Sequence, residues 1–396
     1  MRLVIGGDPL FGPPTGIGQY TSHLVDNLIN RPEIDDLKLL AYGVLMSTDQ
    51  VRSNAGKEQP GDEDIGDSKP SSAFGKIRGI AARNTIMVKA YEKIYPLMSR
   101  WSLRGYDSHD IFHSPNYVLP PFPGRRVVTI LDLSTIRFPE YHPAASVRFI
   151  NGHIEHAIKE ADHILTISDF VKNEIIEHFT FPHEKITTTY LGADDSFQRI
   201  NQAEFETSSF APQLGFKQYF LFVSTIEPRK NLTRLLDAYE AYQQQQGSDA
   251  MPLILTGLTG WKSSQIHTRL QALQSKGFVQ YLGYVSQREL PTLFAGARAL
   301  LFPSLYEGFG LPIVEAMKSG TAVMTSKASA MSEVAGDAAL YIDPSDADDM
   351  AAKIMELANN QALEQRLVSK GLQKAATYSW AHCADLTLNA YRNLAG

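Results

Sequence analysis

The chain has 396 residues, more than one compact core accommodates, so two domains are expected. Its 43% hydrophobic and 20% charged content are those of a globular enzyme, and a net charge of −6 argues against a dedicated nucleic-acid binder. One cysteine, Cys383, excludes an intrachain disulfide framework and a cysteine zinc site, and fits a reducing compartment.

The first residues, "MRLVIGGDPL", run straight into a strand-like segment without the pattern of a signal peptide. No apolar run reaches the length of a membrane span, so a cytoplasmic location is expected, with the inner membrane face as an option. Strand-like runs stand at 2–6, 110–114, 126–131, 163–168, 219–224, 252–257, 279–283 and 299–303, separated by stretches of helical periodicity. Continuous apolar strands alternating with helices imply βαβ units with parallel sheets buried on both faces. The two sets predict two doubly wound α/β domains, 1–200 and 201–376, facing a central cleft in which ligands bind at the carboxyl ends of the strands. The polar stretch 193–216 reads as the linker, and "YSWAHCADLTLNAYRNL" (378–394) as a helix within a segment, 377–396, that returns to the first domain.

Two surface features lie between the first strands. Residues 53–72, rich in Gly, Pro, Ser and acid, read as a mobile loop. In 74–105, Ile77, Ile80, Met87, Val88, Tyr91, Ile94, Tyr95, Met98 and Trp101 recur at helical spacing. Seven cations there (Lys76, Arg78, Arg83, Lys89, Lys93, Arg100 and Arg104) face one acid, Glu92, a local charge of +6. One reading is a helix packed on its own domain with a solvated basic face. The other is peripheral contact with anionic lipid or a lipid-diphosphate acceptor.

Three segments carry chemistry. "GPPTGIGQY" (12–20) joins the first strand to a helix, and Gly16 and Gly18 lack side chains, so backbone N–H groups there could approach a phosphate. The same turn is compatible with an unliganded strand-to-helix connection. In "STIEPRKNLTRLLDAY" (224–239), Arg229 and Lys230 are expected at a helix N-terminus, where cations oppose the macrodipole and an anion would use both charges. In "LYEGFGLPIVEAM" (305–317), a glycine turn and Pro312 open a helix. N–H groups around Gly310 and Leu311 suit a diphosphate, Glu315 one turn in suits two ribose hydroxyls, and Glu307 faces the position of a sugar. Among the histidines, His109, His113, His142, His153 and His156 show no metal-ligand spacing. His113 is within reach of the cleft, and the others read as surface or packing residues.

At these segments the sequence resembles the GT-B glycosyltransferases, specifically the large retaining family 4. "YEGFGLPIVEAMKSGTAVMTS" matches its E-x7-E block, "FVSTIEPRKNLTRLLDAY" its phosphate segment and "TGIGQY" its N-terminal glycine loop. "HSPNYVLPP", "FPEYHP" and "EPRKN" look most like bacterial GDP-mannose-dependent mannosyltransferases of polysaccharide assembly. The resemblance implies that Arg229 and Lys230 bind the donor diphosphate, Glu315 the ribose and Glu307 the transferred sugar, with backbone contacts from Phe309, Gly310 and Leu311. Tyr284 and Val285 would lie beside the base, and Gly16 and Gly18 would line the cleft. It further implies retention of the anomeric configuration and no metal or other cofactor, because two cations and helix N-termini neutralise the diphosphate. His113 and Asn116 are the candidate acceptor contacts, and the acceptor expected is a saccharide or lipid-linked saccharide.

One departure is the sequence "TILD", where the family usually reads "TIHD": Leu131 replaces the active-site histidine, and Asp132 remains as the candidate catalytic carboxylate facing the acceptor. Another is Ser224-Thr225, where many relatives carry arginine or glycine, which leaves Arg229 and Lys230 more of the diphosphate. Two alternatives stand beside the GDP-mannose transferase: a transferase using UDP-glucose or another UDP-sugar, and a non-catalytic nucleotide-sugar-binding partner of an active enzyme. A GT-B epimerase or phosphorylase fits the E-x7-E block less well.

Overall fold

The structure, a computed structural model, describes residues 1–11, 15–55 and 85–395. Residues 12–14 of the glycine turn, most of the 53–72 loop and the cations Lys76, Arg78 and Arg83 lie outside the described residues, as do Ile77 and Ile80. Two sheets form, each from its own part of the chain. The first holds β1 (Arg2–Gly6), β2 (Asp36–Ala41), β3 (Val44–Ser47), β4 (Ile111–Ser114), β5 (Arg125–Ile130), β6 (His163–Thr166) and β7 (Ile186–Thr188). The second holds β8 (Phe220–Val223), β9 (Leu253–Thr256), β10 (Val279–Tyr281), β11 (Ala299–Phe302), β12 (Ala322–Ser326) and β13 (Ala339–Ile342). Their orders are β3-β2-β1-β4-β5-β6-β7 and β10-β9-β8-β11-β12-β13. Apart from the antiparallel β2–β3 hairpin, the ladders are parallel.

Both sheets are therefore doubly wound, because the strand order reverses between β1 and β4 and between β8 and β11. The reversal sends neighbouring loops to opposite sides and leaves a crevice at the carboxyl ends. The loops that follow β8 and β11 carry 227–230 and 305–310, so topology alone gathers the two most informative sequence segments. The runs at β4, β5, β6, β8, β9 and β11 are buried along most or all of their length, as continuous apolar strands in a sheet covered on both faces require.

The 193–216 stretch runs between β7 and β8 and is packed. It contains a helix, Gln202–Glu206, with a capping box between Asn201 and Glu204. Its Phe197, Phe205 and Leu214 are buried, with Phe197 edge-on to Phe294. The aromatic anchors, not the polar spacing, decide that it packs. The helix Trp380–Ala395 lies on the first sheet's side: Trp380 stacks on His23 at 4.5 Å, Arg31 pairs with Asp385 at 2.6 Å, and the buried Tyr391 reaches His113.

In the helix Thr85–Ser102, Tyr95 and Ser99 face inward and Leu103 follows them into the core. Ile94, Leu97, Met98 and Trp101 face out, with Leu97 69% and Trp101 67% exposed. The expected apolar stripe is thus split. Tyr95 is buried by it, whereas Ile94, Met98 and Trp101 stand on the outer surface.

Candidate active site

At the centre of the crevice of the second sheet sit two carboxylates and two cations. Glu227 caps a 3-10 turn, Pro228–Lys230, its Oε2 accepting the Arg229 N–H at 2.9 Å. Arg229 Nε donates to Glu227 Oε1 at 3.1 Å, and its Nη1 donates to the Tyr306 carbonyl at 2.8 Å and to Glu307 Oε2 at 3.2 Å. Lys230 Nζ donates to Glu307 Oε1 at 2.6 Å. All four side chains are buried or nearly so, with Glu227 fully buried.

This refines the expected position of the cations. They do not open the long helix, which runs Leu232–Gln246, but stand one turn before it. Asn231 makes the corner in the left-handed region, φ 59, and its Nδ2 ties the turn to the carbonyls of Pro303 and Pro344 at 3.2 and 2.7 Å. Pro228 favours the first turn, and Asn tolerates left-handed backbone better than most residues. Burial disfavours ionisation of Glu307, but Lys230 and Arg229 prevail and hold its carboxyl below the usual range. Lys230 is lowered by burial and by Arg229, against the pull of Glu307.

Asp132 reaches this cluster from the first domain. Its Oδ1 accepts the Ser134 N–H at 2.8 Å, and its charge acts on Arg229, on Tyr306 and on His142. Tyr306 links the two domains: its hydroxyl donates to Glu174 Oε2 at 2.5 Å and accepts the Leu133 N–H at 3.1 Å. Ser168 Oγ donates to the Gly308 carbonyl at 2.7 Å, and Glu333 accepts the N–H groups of Asp169 and Phe170 at 2.8 Å each. Leu131 takes part through its backbone. A Cβ on Gly308 would lie 1.9 Å from the Leu131 carbonyl oxygen, so only glycine permits this approach.

A second group lies at the helix Leu311–Lys318. Gly310 precedes it at φ 99, and a Cβ on Gly16, at the start of the helix Gly16–Leu28, would be 3.7 Å from Leu311. Gly18 N–H donates to the Thr15 hydroxyl at 3.3 Å, and a Cβ there would meet the Pro9 carbonyl at 3.0 Å. The two glycine-bearing helix starts thus meet across the cleft. Glu315 is buried without the cationic partners that Glu307 has, and burial together with Asp194 pushes its carboxyl up to about 8. Phe309 is buried edge-on to Tyr378. Tyr284 is half-buried beside the β9 and β10 loop ends, and Val285 belongs to the core.

His113 is not a cleft residue. It is fully buried in β4, with Nδ1 bonded to the Tyr391 hydroxyl at 2.6 Å and Nε2 to Thr129 Oγ1 at 2.7 Å, and burial lowers its pKa to about 3. A histidine with both nitrogens satisfied inside a sheet has nothing left for an acceptor. Asn116 holds its own turn, its Oδ1 accepting the Val118 N–H and the Ser114 hydroxyl at 3.1 Å each. Glu227 and Tyr306, not among the expected site residues, join the site, as does His142, expected to be a surface or packing residue but lying within the charge field of Arg229, Asp132 and Glu227. Glu227 was legible in principle, as the acid just before Pro-Arg-Lys. The other two depend on contacts between domains.

A model of the family described as glycosyl transferases group 1 matches residues 205–374. Over 394 residues, covering 100% of both chains, the sequence is 36% identical to the O-antigen chain mannosyltransferase B of Escherichia coli. The chain belongs to the group 1 glycosyltransferases. This glycosyltransferase is also 30% identical over 228 residues to the O-antigen chain mannosyltransferase RfbU of Salmonella typhimurium, covering 57% of this chain and 59% of that one. Its fold is GT-B: Anabaena HepE, solved with UDP and glucose, superposes with a TM-score of 0.69 at 15% identity, covering 100% of both chains. Sucrose-phosphate synthase of Thermosynechococcus elongatus superposes at 0.68 with 17% identity, covering 100% of this chain and 99% of that one.

Two outcomes follow for this glycosyltransferase. Glu307 occupies both Arg229 and Lys230; if a diphosphate binds these cations, Glu307→Gln is expected to bind a nucleoside diphosphate about 5–50-fold more tightly while losing turnover, as read by calorimetry and product release. The folded pKa of Glu315 lies above its ordinary 4.5. Its burial is therefore free of charge penalty below about pH 4.5, and stability falls as pH rises towards 8. Glu315→Gln should flatten this part of the ligand-free pH–Tm profile.

Proposed function

We propose that the protein is a retaining, metal-independent family 4 mannosyltransferase that moves mannose from GDP-mannose to a saccharide or lipid-linked saccharide in O-antigen-type polysaccharide assembly. The observation that carries this reading is the buried Glu227–Arg229–Lys230–Glu307 cluster at the carboxyl ends of β8 and β11. The full-length likeness to an O-antigen chain mannosyltransferase supports the choice of sugar.

In this reading Arg229 and Lys230 turn from Glu307 to the diphosphate, supplying the two positive charges that a divalent ion would otherwise supply. Glu315 binds the ribose hydroxyls, Tyr284 and the backbone at Val285 flank the base, and the amides around Gly310 and Leu311 face the phosphates. Glu307, released from its cations, holds hydroxyls of the mannose. The bond from C1 to the phosphate oxygen breaks with its electron pair going to the phosphate. The acceptor oxygen bonds C1 on the same face, and its proton passes to the leaving phosphate. Asp132 stands on the acceptor side, where its charge steadies the positive character that develops on the sugar.

The outer ridge of Ile94, Leu97, Met98 and Trp101, with Arg100 and Arg104 beside it, supports a place at an anionic membrane for the lipid-linked form of the acceptor. A non-catalytic binding role, motivated by Leu131, remains the competing reading.

Nucleoside diphosphate release from a panel of GDP- and UDP-sugars, with acceptor saccharides added, tests the activity. Release from GDP-mannose alone, lost in Lys230→Ala and Glu307→Ala, is expected. Release from a UDP-sugar would change the donor, and binding without release from any donor would favour the binding role. For the membrane contact, co-sedimentation with vesicles containing anionic lipid should drop at least about fivefold in the Leu97→Ser/Trp101→Ser double variant; equal sedimentation of both proteins would refute it.

A further inference from the structure

His142 ends the 3-10 turn Pro139–Tyr141, its own N–H donating to the Pro139 carbonyl at 3.1 Å. The turn is fastened to the second domain by side chains that bind its carbonyls. Trp261 Nε1 donates to Tyr141 O at 2.6 Å, and Lys262 Nζ donates to Glu140 O at 2.5 Å. The imidazole lies against the Trp261 indole, with ring centroids 5.8 Å apart and planes 32° from parallel. His142 is 8% exposed, and its Nε2 is buried with no hydrogen-bond partner among the described residues.

An unpartnered buried ring nitrogen is unfavourable, and in a native protein it calls for a reason. Here the surroundings offer one. The charges that act on His142 are Arg229, Asp132, Glu227 and Lys262, from both domains, and the first three belong to the site already described. Burial and Arg229 lower its pKa, so the ring is neutral near pH 7, with one nitrogen donating and the other accepting. A neutral ring beside two carboxylates adds no attraction for a diphosphate, which Arg229 and Lys230 already serve. A sugar hydroxyl, which both donates and accepts, suits either tautomer.

We propose that His142 Nε2 is a hydrogen-bonding contact for a hydroxyl of the hexose being transferred, reached when the Trp261 and Lys262 contacts loosen as the domains move. This rests on the donor site assigned above. It also gives "FPEYHP" a role in holding the sugar from the first domain.

The test compares wild type, His142→Leu and His142→Gln for kcat/KM with GDP-mannose and acceptor, and for the Kd of GDP, which carries no sugar. The expected result is a loss of about 10–100-fold in kcat/KM for His142→Leu, with GDP affinity within about twofold, and recovery to within about fivefold in His142→Gln. Unchanged kcat/KM in His142→Leu, or an equal loss of GDP affinity, would overturn the proposal. Should His142→Leu fail to fold, Gln and Asn are compared. Gln places its amide near Nε2 and Asn near Nδ1, so activity should survive only in Gln, and equal activities would overturn the proposal. Wild-type protein that does not bind GDP, or binds it as well when Lys230→Ala is present, would instead refute the donor site on which the proposal rests.

Discussion

Four charged side chains with almost no access to water must satisfy one another, and that requirement organises the second domain. Glu227, Arg229, Lys230 and Glu307 come from two loops nearly eighty residues apart in sequence, which meet because β8 and β11 are neighbours at the reversal of strand order. Removing any one would leave an uncompensated buried charge, an expensive state. The cluster is therefore a clamp on the crevice, and in the proposed function its two cations are also the groups that a phosphorylated donor would recruit.

The first domain is held against that clamp by polar contacts set beside an apolar core that continues from one domain into the other, with Phe138 and Phe170 against Tyr306. Tyr306 bonds to Glu174 and to Leu133 N, Ser168 bonds to Gly308 O, Glu333 caps the helix Asp169–Phe179, and Trp261 and Lys262 hold the 139–142 turn. The polar contacts are directional and fix the mutual orientation of the two domains. Leu131 is held both ways: its carbonyl approaches Gly308, and its side chain packs against the apolar core.

Two histidines show where reading one dimension fails. His113 stands at a strand end near the expected cleft, yet in a parallel sheet alternate residues face opposite sides, and its side faces the C-terminal helix. His142 sits in a Pro-rich turn with no periodicity to mark it, and its environment is completed by residues 227, 229, 261 and 262 of the other domain. The helix Thr85–Ser102 teaches the same lesson, since spacing marks an apolar stripe but does not tell which of its edges finds a partner.

The sequence by itself determined the two doubly wound units, the strands β1, β4, β5, β6, β8, β9, β10 and β11 to within a residue or two, and the loops that bear Arg229, Lys230, Glu307 and Glu315. These follow from local patterning: apolar runs, glycine turns and a proline suited to a helix start act over a few residues. Only the tertiary structure decided that Glu307 pairs with Lys230 and Arg229, that Glu315 is buried apart from them and raised in pKa, that His113 is core and His142 belongs to the site, and that 193–216 packs. Each of these depends on which distant surfaces exclude water together, and burial of that kind is a property of the folded whole and not of any stretch of the chain.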